Sequence, residues 1–96
     1  MKYTFLPEAW DEFEESARYY SSRLSGLELR FIDYITASIA LACESPGRFR
    51  RFEDGVRRVL TPTFPFGILF LSEADRILIL AIMHCARKPG YWKRRL

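Results

Sequence analysis

The C-terminal end of the chain concentrates residue types that bind anions. Between Arg87 and Arg95, five cations surround Tyr91 and Trp92, namely Arg87, Lys88, Lys93, Arg94 and Arg95. Cations interleaved with aromatic rings suit the neutralisation of a phosphate backbone and the stacking of bases. In a structural alternative, Trp92 anchors the segment to the core and the cations are solvated, and both can hold with Trp92 inward. This segment is a candidate binding surface.

A second pair of cations, Arg57 and Arg58, lies within a candidate strand. Side chains alternate across a sheet, so the two arginines must point to opposite faces. One of them can lie on an open face and clamp a phosphate through two hydrogen bonds. The alternative is an arginine at the rim, paired with Glu53 or Asp54. Which arginine takes which face depends on a register that a slip of one residue reverses.

His84 closes the longest candidate strand and is the only histidine. Its unperturbed pKa lies near neutrality, so it is a candidate general acid or base, although a histidine there can also be purely structural. Cys43 and Cys85 are expected to be small buried residues and form no metal-binding pattern with His84. Neither a metal nor a cofactor is expected. The acids of the first helix are expected to form a solvated face and not a catalytic pair.

Composition and charge bound the class of protein. The chain has 96 residues, 49% hydrophobic, which suits one domain over residues 1–96 with one core. Residues 1–48 hold five Lys/Arg and eight Asp/Glu, whereas residues 49–96 hold ten and four, so the halves carry −3 and +6. This asymmetry indicates an anionic partner for the second half. The run Ile77 to Met83 is too short to span a bilayer, and the N-terminus lacks the core of a signal peptide, so a cytoplasmic protein is expected.

The elements that must position these residues follow from periodicity. Lys2 to Leu6 predicts a short strand, and Pro7 suits the first turn of a helix whose core-facing stripe contains Ala9, Trp10, Phe13, Ala17 and Tyr20. Ser25-Gly26 separates it from a second helix that ends near Glu44, which predicts a helical hairpin. Strands are expected at Val56–Thr61, Phe66–Leu71 and Arg76–His84, and Phe64-Pro65-Phe66 marks a strand start with aromatic rings in the core. The predicted class is α+β, of order β-α-α-β-β-β, with the hairpin on a small antiparallel sheet.

This order of features resembles the RelE/ParE superfamily of bacterial toxins, the toxic halves of type II toxin–antitoxin pairs. The resemblance runs through FLPEAWDEFEESARYY, Arg30-Phe31, the SPGRF loop, VRRVLTPTFPF and the final HCARKPGYWKRR. The last two segments are the most specific. Similar sequences are often called plasmid-stabilisation proteins.

The resemblance implies the same fold, a cognate antitoxin as partner and one of two targets. RelE-like relatives cut messenger RNA in the ribosome by metal-free attack of a ribose 2′-hydroxyl, which here would use Arg58 and Arg87 as phosphate clamps and His84 or Tyr91 for proton transfer. ParE-like relatives poison DNA gyrase, which needs only a binding surface. The FPF and PGYW segments are nearer to the ParE-like pattern, so gyrase poisoning is the preferred expectation, and a non-toxic binding module is a third. Lys88 replaces an acid found in many relatives, which makes the tail more basic.

Overall fold

The computed structural model describes residues 1–51 and 53–96. All six expected elements are present, and their ends agree with the expected ones within one or two residues. They are β1 (Lys2–Phe5), α1 (Pro7–Arg23), α2 (Leu27–Glu44), β2 (Arg57–Leu60), β3 (Phe66–Ser72) and β4 (Arg76–His84). Short 3-10 turns occupy Pro46–Arg48, Glu53–Gly55 and Lys93–Arg95. The predicted α+β class and element order are confirmed.

The four strands form one sheet in the order β1-β4-β3-β2. β2, β3 and β4 make an antiparallel meander, as short loops between strands require. β1 differs from the expected antiparallel arrangement because it pairs with β4 in parallel, from Lys2 opposite Arg76 to Phe5 opposite Ile79. Parallel neighbours need a long crossover, and the chain between β1 and β4 supplies one with both helices and two strands. The sheet is therefore mixed.

Both helices cover one face of the sheet, which we call the helix face. α2 buries a stripe of apolar residues at helical spacing against this face, with Phe31, Ile35 and Ala42 at 0% exposure. Phe64 and Phe66 are also buried here, and each packs against Phe31 at ring-centroid distances of 5.5 and 5.0 Å. The expectation that these aromatic residues belong to the core is met. Trp10 was expected on the core-facing stripe of α1, but its side chain lies at the border of that stripe and is 47% exposed.

The opposite face, which we call the tail face, has its own smaller core. Val56, Leu69, Leu80, Ala81 and Trp92 are buried together there. Trp92 is 3% exposed, so the C-terminal tail, residues 85–96, is anchored against the sheet by this ring. A β-bulge between Leu69 and Phe70 of β3 and their partners on β4 makes Leu80 and Ala81 share this face. Coverage on both faces explains why β4 is apolar almost throughout.

Two smaller expectations concern the cysteines and the membrane. Cys43 is half-buried, but Cys85 is exposed, because the strand has ended before it and the chain turns away from the core. The expectation that both would be buried is therefore wrong for Cys85. Within the described residues, neither helix is long and apolar enough to cross a membrane.

Candidate functional site

The strand register assigns Arg57 and Arg58 to opposite faces. Arg57 lies opposite Phe70, on the helix face, and its guanidinium Nη1 donates a hydrogen bond of 2.8 Å to the carbonyl oxygen of Phe49. It therefore braces the loop that precedes β2. Arg58 lies opposite Leu69, on the tail face. The arginine on the face away from the helices is thus Arg58.

Arg58 reaches a pocket of about 230 Å³ on the tail face, which we call the basic pocket. Arg87 lines the same pocket from the tail, so two arginines from distant parts of the chain line one pocket. The remaining lining comes from apolar and small side chains and one acid, which are Met83, Cys85, Pro89, Gly90, Trp92 and Glu53. Glu53 also holds the Nζ of Lys93 at 2.8 Å across the rim. The pocket combines two cations and one acid with apolar walls, an arrangement suited to an anionic group with an apolar neighbour.

Gly67 makes room for the stem of Arg58. A Cβ atom built on Gly67 would lie 3.3 Å from Cδ and 3.4 Å from Cγ of Arg58. The aliphatic part of the arginine therefore lies across the bare backbone of β3 before it enters the basic pocket. A side chain at position 67 would displace it.

The tail is fixed on the far side by Glu12, an acid of α1. Its carboxylate accepts a hydrogen bond of 2.6 Å from the Tyr91 hydroxyl and two from Arg95, of 2.9 and 3.0 Å. The amide N–H of Ile82 donates to the same carboxylate at 3.0 Å, and Arg95 also donates to the carbonyl oxygen of Leu80 at 2.8 Å. With 13% of its side chain exposed, Glu12 is no part of a solvated face, and that expectation is wrong for this residue.

Tyr91 is a structural group in this arrangement. Burial raises the pKa of its hydroxyl, and the hydrogen bond to the Glu12 carboxylate raises that pKa further. Its ring lies between two cations, with the guanidinium carbon of Arg87 4.0 Å and that of Arg95 5.1 Å from the ring centroid. Tyr91 therefore keeps its proton at neutral pH and uses it to hold Glu12. The hydrogen bond to Glu12 likewise raises the pKa of the Arg95 guanidinium.

His84 lies on the other side of the sheet. It is opposite Phe66 in the register, on the helix face, and the two rings meet edge to face at 5.2 Å. Its Nδ1 accepts a hydrogen bond of 3.0 Å from the amide of Ala86. The exposed imidazole lines a separate hollow of about 340 Å³ with Glu15, Tyr19 and Tyr20. The sheet therefore separates His84 from Arg58.

Comparison with known proteins gives one kind of match. No family model matches the chain, and no curated protein matches it. Among solved structures, a chain described as "Chromosomal ParDE TA system from P. aeruginosa" superposes with a TM-score of 0.76, over 88% of this chain and 95% of that one, at 20% identity. This chain therefore shares the fold of that ParDE chain.

On this fold the residues expected to bind or react divide into groups. Arg58, Arg87 and Trp92 come together at the basic pocket. Lys88 and Arg94 are exposed on the tail, Lys93 pairs with Glu53, and Arg95 is 11% exposed and bound to Glu12. The other three residues do not line the pocket: Arg57 and His84 lie on the helix face, and the Tyr91 hydroxyl is bound to Glu12.

Sequence reasoning missed two residues of this region. Glu12 follows Ala9 by three residues on α1 and so borders the core-facing stripe, a signal that could have separated it from the other acids. Gly67 carried no signal, because its importance depends on which arginine crosses it.

Proposed function

We propose that this chain is the toxin of a type II toxin–antitoxin pair, and that it arrests growth by poisoning DNA gyrase in the cytoplasm. The observation that carries the proposal is the basic pocket, formed by Arg58 and Arg87 on the tail face of a RelE/ParE-like toxin fold. The pocket offers two guanidinium groups beside apolar walls without an adjacent proton-transfer group among the residues expected to supply one. Such a surface serves binding.

The positions of His84 and Tyr91 argue for binding over RNA cleavage. A general acid or base must come within hydrogen-bonding distance of the reacting atoms. His84 lies on the helix face, and the hydroxyl of Tyr91 is bound to Glu12, which holds its proton. A phosphate clamped by Arg58 and Arg87 would therefore have neither His84 nor Tyr91 as the proton acceptor or donor that cleavage by a 2′-hydroxyl requires.

The same surface supports neutralisation by an antitoxin. Residues 49–96 carry a net charge of +6, and the exposed cations Lys88 and Arg94 lie close along the chain to the residues of the basic pocket. An acidic, partly disordered segment of an antitoxin would find complementary charge here and would cover the pocket. We therefore assign the cognate antitoxin and gyrase overlapping surfaces on the tail face.

One observation favours a second candidate, a ribosome-dependent messenger RNA endonuclease. Arg58 and Arg87 come from distant segments and converge on one pocket, as a phosphate clamp would require. Under this candidate Arg87 and Arg58 stabilise the transition state, and the proton-transfer groups come from elsewhere. A non-toxic binding module of the same fold is the remaining alternative.

The test is controlled expression in growing bacteria, with and without the gene adjacent to that of this chain. Growth, cleavage of a well-translated message by primer extension, and trapped gyrase–DNA complexes are measured minutes after induction. Gyrase poisoning predicts growth arrest, intact messages, trapped complexes and rescue by the neighbouring gene. Cleavage within translated codons would replace the proposal with the RNA-cutting candidate, and undisturbed growth would leave the non-toxic module.

Two variants sharpen this test. Arg58→Ala removes one cation from the basic pocket and is expected to abolish growth arrest. Arg18→Ala removes the same charge from α1, where the side chain is 76% exposed and 4.0 Å from Glu14, and is expected to arrest growth like the parent. Equal loss of activity in both variants would show that net charge, and not the pocket, is responsible.

A further inference from the structure

We infer that Glu12 is the positioning residue for the basic pocket, acting through the C-terminal tail. It lies on α1, across the sheet from that pocket, and does not line it. Its carboxylate nevertheless holds Tyr91 and Arg95, which flank the pocket residue Trp92 in the chain. The inference rests on the proposed function only for its cellular readout.

The geometry of β4 shows why an acid is needed at this point. β1 stops at Phe5 opposite Ile79, and within the described residues no strand lies beside the edge of β4 beyond Ile79. Buried backbone groups on that edge require partners, and an unpaired one is costly. Glu12 accepts from the amide of Ile82, and Arg95 donates to the carbonyl of Leu80. The ion pair thus continues the ladder that β1 begins.

The Glu12 carboxylate and the Arg95 guanidinium each need the other as a counter-ion, because both are removed from water. Arg95 is 11% and Glu12 13% exposed, and the two make a bidentate pair. Arg87, which lines the basic pocket, has its Nη1 4.0 Å from the same carboxylate and its guanidinium stacked on the Tyr91 ring. One carboxylate therefore orients Tyr91 and Arg95 directly and Arg87 by charge. Without it, the two guanidinium groups beside the Tyr91 ring, those of Arg87 and Arg95, lose the carboxylate that they share.

The variant Glu12→Gln keeps the size of the side chain and removes its charge. The amide can accept from Ile82 but presents an N–H group where Arg95 or Tyr91 donates, so the tail is expected to loosen. Glu14→Gln is the matched control, since Glu14 lies on the same helix with 44% of its side chain exposed. Ile39→Val, a buried substitution on α2 away from the tail, provides a stability control.

The structural readout is independent of toxicity. In ¹⁵N-labelled protein, Glu12→Gln should speed exchange of the Ile82 amide by about tenfold, because the acceptor of its hydrogen bond is no longer charged. It should also lower the heteronuclear NOE of the Trp92 indole while the amides of Ile68 and Leu69 keep their protection. Unchanged Ile82 exchange and Trp92 order in Glu12→Gln would overturn the inference, whatever the protein does in cells.

The cellular readout separates positioning from stability. Glu12→Gln should lose growth arrest, whereas Glu14→Gln and Ile39→Val should keep it, even where Ile39→Val lowers the melting temperature as much as Glu12→Gln does. Loss of arrest in proportion to melting temperature across all variants would overturn the positioning role. If the parent chain does not arrest growth, the proposed function fails, but the exchange and NOE measurements still decide the role of Glu12 in holding the tail.

Discussion

A substitution at Gly67 should separate the stability of this protein from its activity. Gly67 lies within β3 opposite Leu60, and it does not have the positive φ that would exclude a side chain. An added Cβ would lie 3.3 Å from Cδ and 3.4 Å from Cγ of Arg58, closer than ordinary van der Waals contact, and 3.7 Å from Leu60. We therefore expect Gly67→Ala to shift the stem of Arg58 by a few tenths of an ångström, and Gly67→Val to move it further.

A side chain at position 67 should raise the stability of the fold and weaken the interaction at the basic pocket. Replacing glycine in an extended strand reduces the conformational entropy of the unfolded chain, which stabilises the fold by about 0.4–1 kcal/mol where the backbone accepts it. The guanidinium of Arg58 moves with its stem and would lose its hydrogen bond to a partner bound in the basic pocket. A hydrogen bond of this kind, which involves a charged group, contributes about 1.5–3 kcal/mol. Loss of that bond corresponds to roughly a tenfold to hundredfold weaker interaction at the basic pocket. Gly67→Ala should lose a part of this and Gly67→Val nearly all of it.

The measurement combines thermal unfolding with the inducer concentration that halves the growth rate. Gly47→Ala is the matched control, because a Cβ at Gly47 meets nothing within 4 Å and its backbone needs no positive φ. Gly47→Ala should therefore change only the conformational entropy of the unfolded chain and leave growth arrest unchanged. If Gly67→Val arrests growth as efficiently as the parent while Arg58→Ala does not, the position of the Arg58 stem is irrelevant and the reasoning is refuted.

Three further predictions concern other parts of the chain. Phe31→Ala should lower the free energy of unfolding by about 3–5 kcal/mol in urea denaturation, because the 0%-exposed ring packs between both helices and β3; a loss under 1 kcal/mol would contradict the packing. Stability should fall as pH rises above about 10, because the pKa of Tyr91 is raised in the folded chain and the unfolded chain therefore ionises first. Tyr91→Phe should flatten this alkaline decline, measured by urea unfolding from pH 7 to 12, and an equal slope in both proteins would count against it. His84→Ala should leave growth arrest intact, and its loss would return the imidazole to the functional site.

The local elements were predictable because local chemistry specifies them. Pro7 and the spacing of Phe31, Ile35 and Ile39 defined the helices, and the limits of β4 at Arg76 and His84 followed from an apolar run between polar turns. The parallel pairing of β1 was not predictable in this way. No turn joins β1 to β4, so only the packing of the whole hairpin sets its direction.

The candidate site was harder to predict because it depends on contacts between distant segments. The spacing on α1 sets Glu12 at the border of the core-facing stripe, but only the position of the tail, residues 85–96, shows what its carboxylate binds. The pairing of Arg58 with Arg87 likewise requires the tail to return beneath the sheet. The charge asymmetry between the two halves identified the basic surface but not its geometry.

The position of His84 shows how one irregularity changes a chemical hypothesis. Strict alternation along β4 would carry Leu80, a tail-face residue, to His84 on the same face, beside Arg58. The β-bulge places both Leu80 and Ala81 on the tail face, so Ile82 and His84 turn to the helix face and Met83 turns to the basic pocket. Because the bulge adds a residue without leaving a recognisable sequence pattern, period-two reasoning would put the imidazole beside a clamped phosphate. The actual register puts a methionine there, which supplies an apolar wall for a bound partner and no proton for a reaction.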